Sequence, residues 1–291
     1  MTSEGGFSSE LGVGQVISKT FDLFRRDFVK YFVIFAIAEV VIGVATVVAY
    51  RLVTLPVIPT SPTDLSWLPG YLGAFIGLYA IIEISTLIVL PIAEGTAVKM
   101  AADAIRGKPA LLGASLRFAL SKLVWMWVLG FIVGIIVLLG FVALVVPGII
   151  FAIMLCLALP SLLLEDTGVI DSLGRSRELV SHRWGKTFAT FLVLGLIIVV
   201  ISSVLGLIAA IFGGAGPLVT GLLSGFYEPI IPIGLTVYFF SNLARVSPPP
   251  TQAPVGPVPQ PGMKFCPNCG TQLMASTMFC SNCGAKQPAQ I

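Results

Sequence analysis

The chain has 291 residues and a formal net charge of +3, and 56% of its residues are hydrophobic whereas only 11% are charged. A soluble domain carries about 25% charged residues, and a chain with a mean hydropathy of +0.99 could not cover its own surface with polar groups. The composition therefore excludes an ordinary soluble protein and predicts an integral membrane protein. The small net charge gives no reason to expect binding to nucleic acid.

The first segment, residues 1–14, reads MTSEGGFSSELGVG and is polar and glycine-rich. It has neither the basic start nor the apolar centre of a signal peptide. We therefore expect a disordered N-terminus over 1–14, and we expect the first apolar stretch to remain in the protein as a transmembrane anchor.

Six apolar stretches follow, each long enough or nearly long enough to cross a bilayer, which takes about 20 residues of helix. A Pro-Gly pair at Pro147 and Gly148 divides the third from the fourth, and the run from Gly213 to Pro217 divides the fifth from the sixth. The fourth stretch is the shortest, with 17 residues over 148–164. We place the spans at 31–52, 71–93, 123–145, 148–164, 187–212 and 217–241.

The basic residues predict the orientation, since lysine and arginine concentrate on the cytoplasmic side. With six spans, 16 of the 17 basic residues fall on one side, and only Arg51 falls on the other. This distribution predicts a multi-pass protein of the cell membrane whose N- and C-termini are both cytoplasmic.

The cytoplasmic segments share a pattern in which an amphipathic stretch leads directly into a span. In 16–31 and in 171–188, apolar residues recur at helical spacing between charged ones, and 111–127 is similar in style. Residues 21–35 align with 177–191 at an acidic residue, a leucine, a lysine and two phenylalanines. Compositional coincidence could produce so weak a match. The interpretation we adopt is an all-α polytopic fold over 15–245, built from three units of an interfacial helix and a transmembrane hairpin.

The character of the chain changes after the last span. Residues 246–262 contain seven prolines and predict an extended linker with a reach of roughly 50 Å. Residues 263–286 follow as a compact module, and 287–291 form a short tail. The linker would tether the module while letting it explore a wide volume.

The module carries two C-x2-C pairs, Cys266 with Cys269 and Cys280 with Cys283, ten residues apart. Such pairs form knuckle turns whose sulfurs face one ion, and four thiolates complete a tetrahedral structural zinc site with no open position. Two disulfides would require an oxidising compartment, whereas the predicted orientation places the tail in the reducing cytosol. An iron–sulfur or rubredoxin-like iron site is the other alternative. We predict a zinc ribbon that binds structural Zn²⁺.

The purpose of the module is less defined by its sequence. Its apolar residues form either a small core, which is the preferred interpretation, or part of a docking surface for a cytosolic protein. Two lysines without a basic stripe argue against nucleic acid as a partner. The apolar residues in question are Phe265, Leu273, Met274, Met278 and Phe279.

Three carboxylates lie within predicted spans: Glu39, Glu83 and Glu228. Ionised groups inside a bilayer are costly and often mark a path or binding site. Pro229 and Pro232 follow Glu228 and would interrupt its helix. These glutamates are a candidate proton or cation site, and the alternative is that each is protonated and hydrogen-bonded between helices.

Three segments carry a family resemblance: GQVISKTFDLFRRDFVKYF (14–32), DSLGRSRELVSHRWGKTF (171–188) and EPIIPIGLTVYFF (228–240). Over residues 11–245 the chain resembles a prokaryotic membrane protein family related to the membrane domain of some glycerophosphoryl diester phosphodiesterases. No segment is large enough for the catalytic barrel of those enzymes, so the resemblance does not imply their activity. The module over 263–286 separately resembles zinc ribbons that are appended to prokaryotic membrane proteins.

Two classes of function fit these features. The first is a non-enzymatic interaction, scaffold or regulatory protein that is embedded in the lipid bilayer and contacts a cytosolic partner through the zinc ribbon. The second is a transporter or channel that uses the intramembrane glutamates. An enzyme acting on lipid is a distant third, because the sequence offers no nucleophile–base pair or catalytic metal site. We expect no catalysis.

Overall fold

The structure is a computed structural model that describes residues 6–54, 66–246, 263–266, 268–274 and 276–286. The chain divides into two compact units, residues 1–247 and 248–291. The predicted linker lies, apart from Val246, outside the described residues, as does the tail 287–291. The described part of the first unit is almost entirely helical.

Ten α-helices and one short 3-10 turn make up the described part of the first unit. They are α1 (Val13–Arg26), α2 (Phe28–Leu52), α3 (Leu68–Ile105), α4 (Leu112–Ala143), α5 (Val145–Leu155), α6 (Ala158–Leu164), α7 (Val169–Val180), α8 (Trp184–Ala210), α9 (Gly216–Ser224) and α10 (Ile230–Val246), with the 3-10 turn at Gly213–Ala215.

Five helical segments are long and apolar enough to cross a membrane: α2, α3, α4, the α5–α6 pair over Val145–Leu164, and α8. Many of their apolar side chains are exposed on the outside of the protein, and lipid is the solvent that accepts such a surface. The protein is therefore a multi-pass membrane protein in its helical body. These segments correspond to the first five predicted spans, and each begins before its predicted start. Helix α3 continues well past its predicted end at 93, whereas α4 and α8 end slightly before their predicted ends at 145 and 212.

The sixth predicted span, 217–241, is not one helix. It is divided into α9 and α10 by turns at residues 225–229. The amides of Tyr227 and Glu228 both donate to the Ser224 carbonyl, and Pro229 has no amide to continue the helix. The sequence predicted an interruption at Pro229, although the whole apolar run was assigned to a single span, whereas Pro232 lies within α10 and does not break it.

Helix α9 and the turn after it approach α2 so closely that a side chain at any of three glycine positions would crowd the facing backbone. A Cβ added to Gly221 would lie 2.7 Å from the carbonyl oxygen of Glu39, and one added to Gly225 would lie 2.9 Å from that of Phe32. Across the same interface, a Cβ on Gly43 would lie 3.0 Å from the Pro217 carbonyl oxygen. Gly221 and Gly225 form a G-x-x-x-G pair, the spacing that lets helix backbones approach in membranes.

The amphipathic segments behave differently from one another. Helices α1 and α7 each end at a break before a long helix, and the N-caps of those long helices are Asp27 and Arg183. These two residues occupy the same position when 21–35 is laid over 177–191. The third segment, 111–127, has no such break and runs on within α4. The predicted separate interfacial helix is therefore absent there, because nothing in the segment interrupts α4.

The N-terminus is more ordered than the predicted disorder over 1–14. Residues 1–5 lie outside the described residues, but Phe7 and Leu11 pack against the main core, and the Leu11 amide donates to the Ser241 hydroxyl at 2.9 Å. Helix α1 begins at Val13. Long-range contacts that the local sequence does not display hold this segment in place.

Glu10 adds electrostatic contacts to this segment, through ion pairs with Arg183 and Lys186. Burial raises the pKa of Glu10, but hydrogen bonds and charges from Lys186 and Arg183 outweigh burial and leave its pKa below the ordinary value. These two ion pairs connect the segment before α1 to the start of α8.

The second unit contains a two-stranded antiparallel sheet of β1 (Met263–Phe265) and β2 (Gln272–Met274). Its core is a small cluster of Cys266, Leu273 and Cys280, with Ala285 packed against it. So few apolar contacts cannot offset the conformational entropy of ordering the segment. Another source of folding energy is required.

Candidate metal centre and intramembrane carboxylates

The four cysteines of the second unit sit on two turns that repeat the same hydrogen bonds. In the first turn, the Cys266 amide donates to the Thr271 carbonyl and the Gly270 amide donates to the Cys266 carbonyl, both at 2.9 Å. In the second, the Cys280 amide donates to Ala285 and the Gly284 amide to Cys280, again at 2.9 Å.

Glycine is required at the end of each turn, since Gly270 and Gly284 both have φ of +71°. The turn bends the chain so that both sulfurs of a pair point to the same side.

These turns bring the sulfur atoms of Cys266, Cys269, Cys280 and Cys283 within 4.8 Å of one another. The Sγ atoms of Cys266 and Cys283 are 3.6 Å apart, and those of Cys269 and Cys280 are 3.5 Å apart. A tetrahedron with Zn–S bonds of about 2.3 Å has edges of ~3.8 Å, whereas a disulfide needs about 2.05 Å. The geometry fits a metal and not a pair of disulfides.

Polar neighbours surround the sulfurs. The Asn282 amide lies 3.4 Å from the Cys280 sulfur, the Asn268 side-chain amide lies 3.8 Å from that of Cys283, and the Thr271 hydroxyl lies 3.2 Å from that of Cys269. Donors in these positions stabilise thiolate charge and orient the ligands. Because the protein supplies four sulfurs, no coordination position remains for water or substrate, so the site is structural.

The sequence profile of the zinc-ribbon domain family matches residues 265–287. No curated protein and no solved structure matches the chain. The match and the sulfur geometry agree, so the second unit is a zinc ribbon that binds structural zinc through the four predicted cysteines. The chain as a whole is thus a multi-pass membrane protein with a zinc-binding module.

The preferred core interpretation of the ribbon's apolar residues is wrong for three of the five. Leu273 is buried and Phe265 is partly buried, but Met274, Met278 and Phe279 are 68%, 73% and 58% exposed. The cysteine sulfurs occupy the centre of the fold, which leaves no room for these side chains. They form an exposed apolar set instead.

The structure brings together two of the three predicted intramembrane glutamates. The carboxyl groups of Glu39 on α2 and Glu228 in the break between α9 and α10 lie close enough for their charges to interact. The Oε2 atom of Glu228 is buried and has no hydrogen-bond partner among the described residues. Gly221 packs against the backbone of Glu39, so α9 and the break that follows it lie close to α2.

Glu83 does not join them, since it lies on an exposed face of α3. A third carboxylate that the sequence analysis missed, Glu94, is instead close enough to Glu228 for their charges to interact. Glu94 lies one residue past the predicted end of the second span at 93. The run of small residues after it, Gly95–Val98, is fully buried and was the available sign that α3 continues inside the protein.

Proposed function

We propose that this chain is a non-enzymatic, membrane-anchored interaction protein whose zinc ribbon docks a cytosolic protein partner. The observation that carries the proposal is the exposed apolar set Met274, Met278 and Phe279 on a module whose metal site is closed. A structural metal that organises a small fold and leaves apolar side chains outside is typical of a recognition module. The same closed site argues against catalysis by the ribbon.

The proposed topology has six crossings, with α9 and α10 together forming the sixth, and with both termini in the cytoplasm. The one-sided distribution of basic residues supports this arrangement. The repeat interpretation is supported for two units by the equivalent N-caps at Asp27 and Arg183, and the third unit would have its interfacial helix fused to its span. The likeness of 11–245 to the phosphodiesterase-associated membrane family is consistent with this topology and carries no activity.

The test is partner recovery from native membranes by proximity labelling, with the labelling enzyme fused to the C-terminus of each chain that is compared. We expect the triple variant Met274→Gln, Met278→Gln, Phe279→Gln to lose the same neighbours as a chain lacking 246–291. The matched control is Gln272→Ala, an exposed polar position on β2. An unchanged set of neighbours in the deletion chain would reject the proposal.

A second candidate, transport of protons or a small cation, is favoured by the contact between Glu39 and Glu228 at a helix break. Discontinuous helices and paired acids at membrane depth are features of ion-coupled carriers. Flux into proteoliposomes should then fall in Glu39→Gln and Glu228→Gln but not in Glu83→Gln. Equal flux in all variants and in empty liposomes would remove this candidate.

A further inference from the structure

A cavity of about 660 Å³ lies between α3, α4 and the α5–α6 pair, remote in sequence from the zinc ribbon. Its volume is in the range of small-molecule sites. The walls are almost wholly apolar and include Ile84, Leu87, Pro91, Phe131, Leu155 and Leu159.

The cavity opens sideways, toward the region that lipid would occupy. Ile84, Leu87 and Phe131 line it and are 58%, 60% and 70% exposed on the outer surface of helices that are candidate membrane spans. An occupant can therefore enter laterally from the bilayer. Acyl chains are the molecules present at that surface, so the bilayer supplies the occupant.

Trp127 places one end of the cavity near a membrane interface. Pro91 cannot donate to the Leu87 carbonyl four residues earlier, and the Trp127 indole donates to that carbonyl at 2.7 Å. Tryptophan concentrates at the boundary between head groups and acyl chains, and Trp125 lies two residues away. The end of the cavity beside Trp127 is where a head group would sit.

Glu94 is the one carboxylate among the cavity-lining residues. It has no hydrogen bond and no ion pair within the described ranges, and its charged neighbour is another acid, Glu228. A carboxylate enclosed by apolar walls and repelled by a like charge is costly unless a cation or donor reaches it. The Glu94 carboxylate is therefore complementary to an ammonium group, and the apolar walls are complementary to a hydrocarbon chain.

We propose that this cavity binds a membrane lipid with a primary amine in its head group, which donates to the Glu94 carboxylate while one acyl chain lies along the apolar wall. Anionic lipids are disfavoured because Glu94 and Glu228 would repel them. The site is independent of the zinc ribbon and of the proposed docking function.

The test uses the full-length protein, stripped of lipid in detergent, with lipid binding measured by native mass spectrometry. The probes are dioleoyl phosphatidylethanolamine, phosphatidylcholine and phosphatidylglycerol, which share their acyl chains. Wild type should bind the ethanolamine lipid tightest. Choline lacks an N–H donor and glycerol lacks the positive charge. Glu94→Gln should weaken binding of the ethanolamine lipid about tenfold, which is the effect expected from losing one charged hydrogen bond.

Two variants test the cavity itself. A Cβ at Gly130, which lines the cavity, meets no atom within 4 Å, so Gly130→Leu should project into the space and block binding of all three lipids. Gly134→Leu, equally open but outside the cavity, is its control, and Glu83→Gln is the control for Glu94→Gln. Equal binding of the three lipids by wild type, or binding that neither Glu94→Gln nor Gly130→Leu reduces, would overturn the proposal.

Discussion

In the zinc ribbon, four sulfur atoms within 4.8 Å of one another organise residues 263–286, and only one leucine is fully buried beside them. In the helical body, no comparable cluster exists among the described residues, and packing of helix against helix fixes the structure. This difference indicates which substitutions should unfold each part. The ribbon depends on a few side chains that bind one ion, whereas the body depends on many small contacts distributed along its helices.

The largest expected effect is loss of the ribbon on removing one ligand. Cys280→Ser should abolish zinc binding and unfold residues 263–286, because zinc supplies about 10–16 kcal/mol in comparable peptides. Plasma emission spectroscopy would measure the loss of zinc, and limited proteolysis would measure the unfolding of the ribbon. The body should keep its thermal transition, and Ser281→Ala is the matched control. A fall in stability of the helical body in Cys280→Ser would contradict the expectation that loss of the ribbon leaves the body folded.

The next effect concerns the body. Gly221→Ala would place a Cβ 2.7 Å from the Glu39 carbonyl oxygen and should destabilise the α2–α9 interface by about 1–3 kcal/mol. Thermal unfolding in detergent measures this. Gly206→Ala, on α8 with no atom within 4 Å of its added Cβ, should be neutral or slightly stabilising. Equal shifts for both variants would show that close helix approach is not what holds α9.

The third effect is electrostatic and depends on pH. The pKa of Glu10 is lowered in the folded state, so its contribution is present above the ordinary value of 4.5 and is lost as the pH falls through the folded-state pKa. Glu10→Gln should cost about 1 kcal/mol at pH 7, and the difference from wild type should vanish in acid.

Thermal unfolding at pH 7 and below pH 4 provides the comparison. The exposed acid Glu178 offers a control, since Glu178→Gln leaves the N-terminal segment untouched. A difference between wild type and Glu10→Gln that persists unchanged in acid would contradict an ionic role for Glu10.

The two regions also differ in how far their sequences predict them. The zinc site follows from spacing alone, because all four ligands are local and the knuckle turn fixes their direction. The first five spans follow from their apolar runs. The break at 225–229 was indicated locally by Pro229. The packing of Gly221 on Glu39 and the pairing of Glu10 with Arg183 depend on contacts between distant residues, which periodicity does not report.

Glu94 shows the same limit within the candidate intramembrane site. The sequence grouped Glu83 with Glu39 and Glu228 because all three lie within predicted spans, but the rotation of each helix decides which carboxylates meet. Glu83 is exposed, whereas Glu94 is partly buried and close enough to Glu228 for their charges to interact. Depth along a helix is visible in a hydropathy profile, whereas the facing direction of one residue depends on which neighbouring helices pack against it.

The smallest effect is expected at the exposed methionines of the ribbon. Comparing it with the effect of a buried residue tests which side chains belong to the ribbon's core. Met278→Gln should change zinc affinity and folding by less than about 0.5 kcal/mol, because the side chain is 73% exposed. Leu273→Ala should weaken zinc binding measurably, since it removes the buried leucine that packs on Cys266 and Cys280. Competition with a zinc chelator measures both. If Met278→Gln weakened zinc as much as Leu273→Ala, the exposed set would belong to the ribbon's core, and the surface on which the proposed docking depends would not exist.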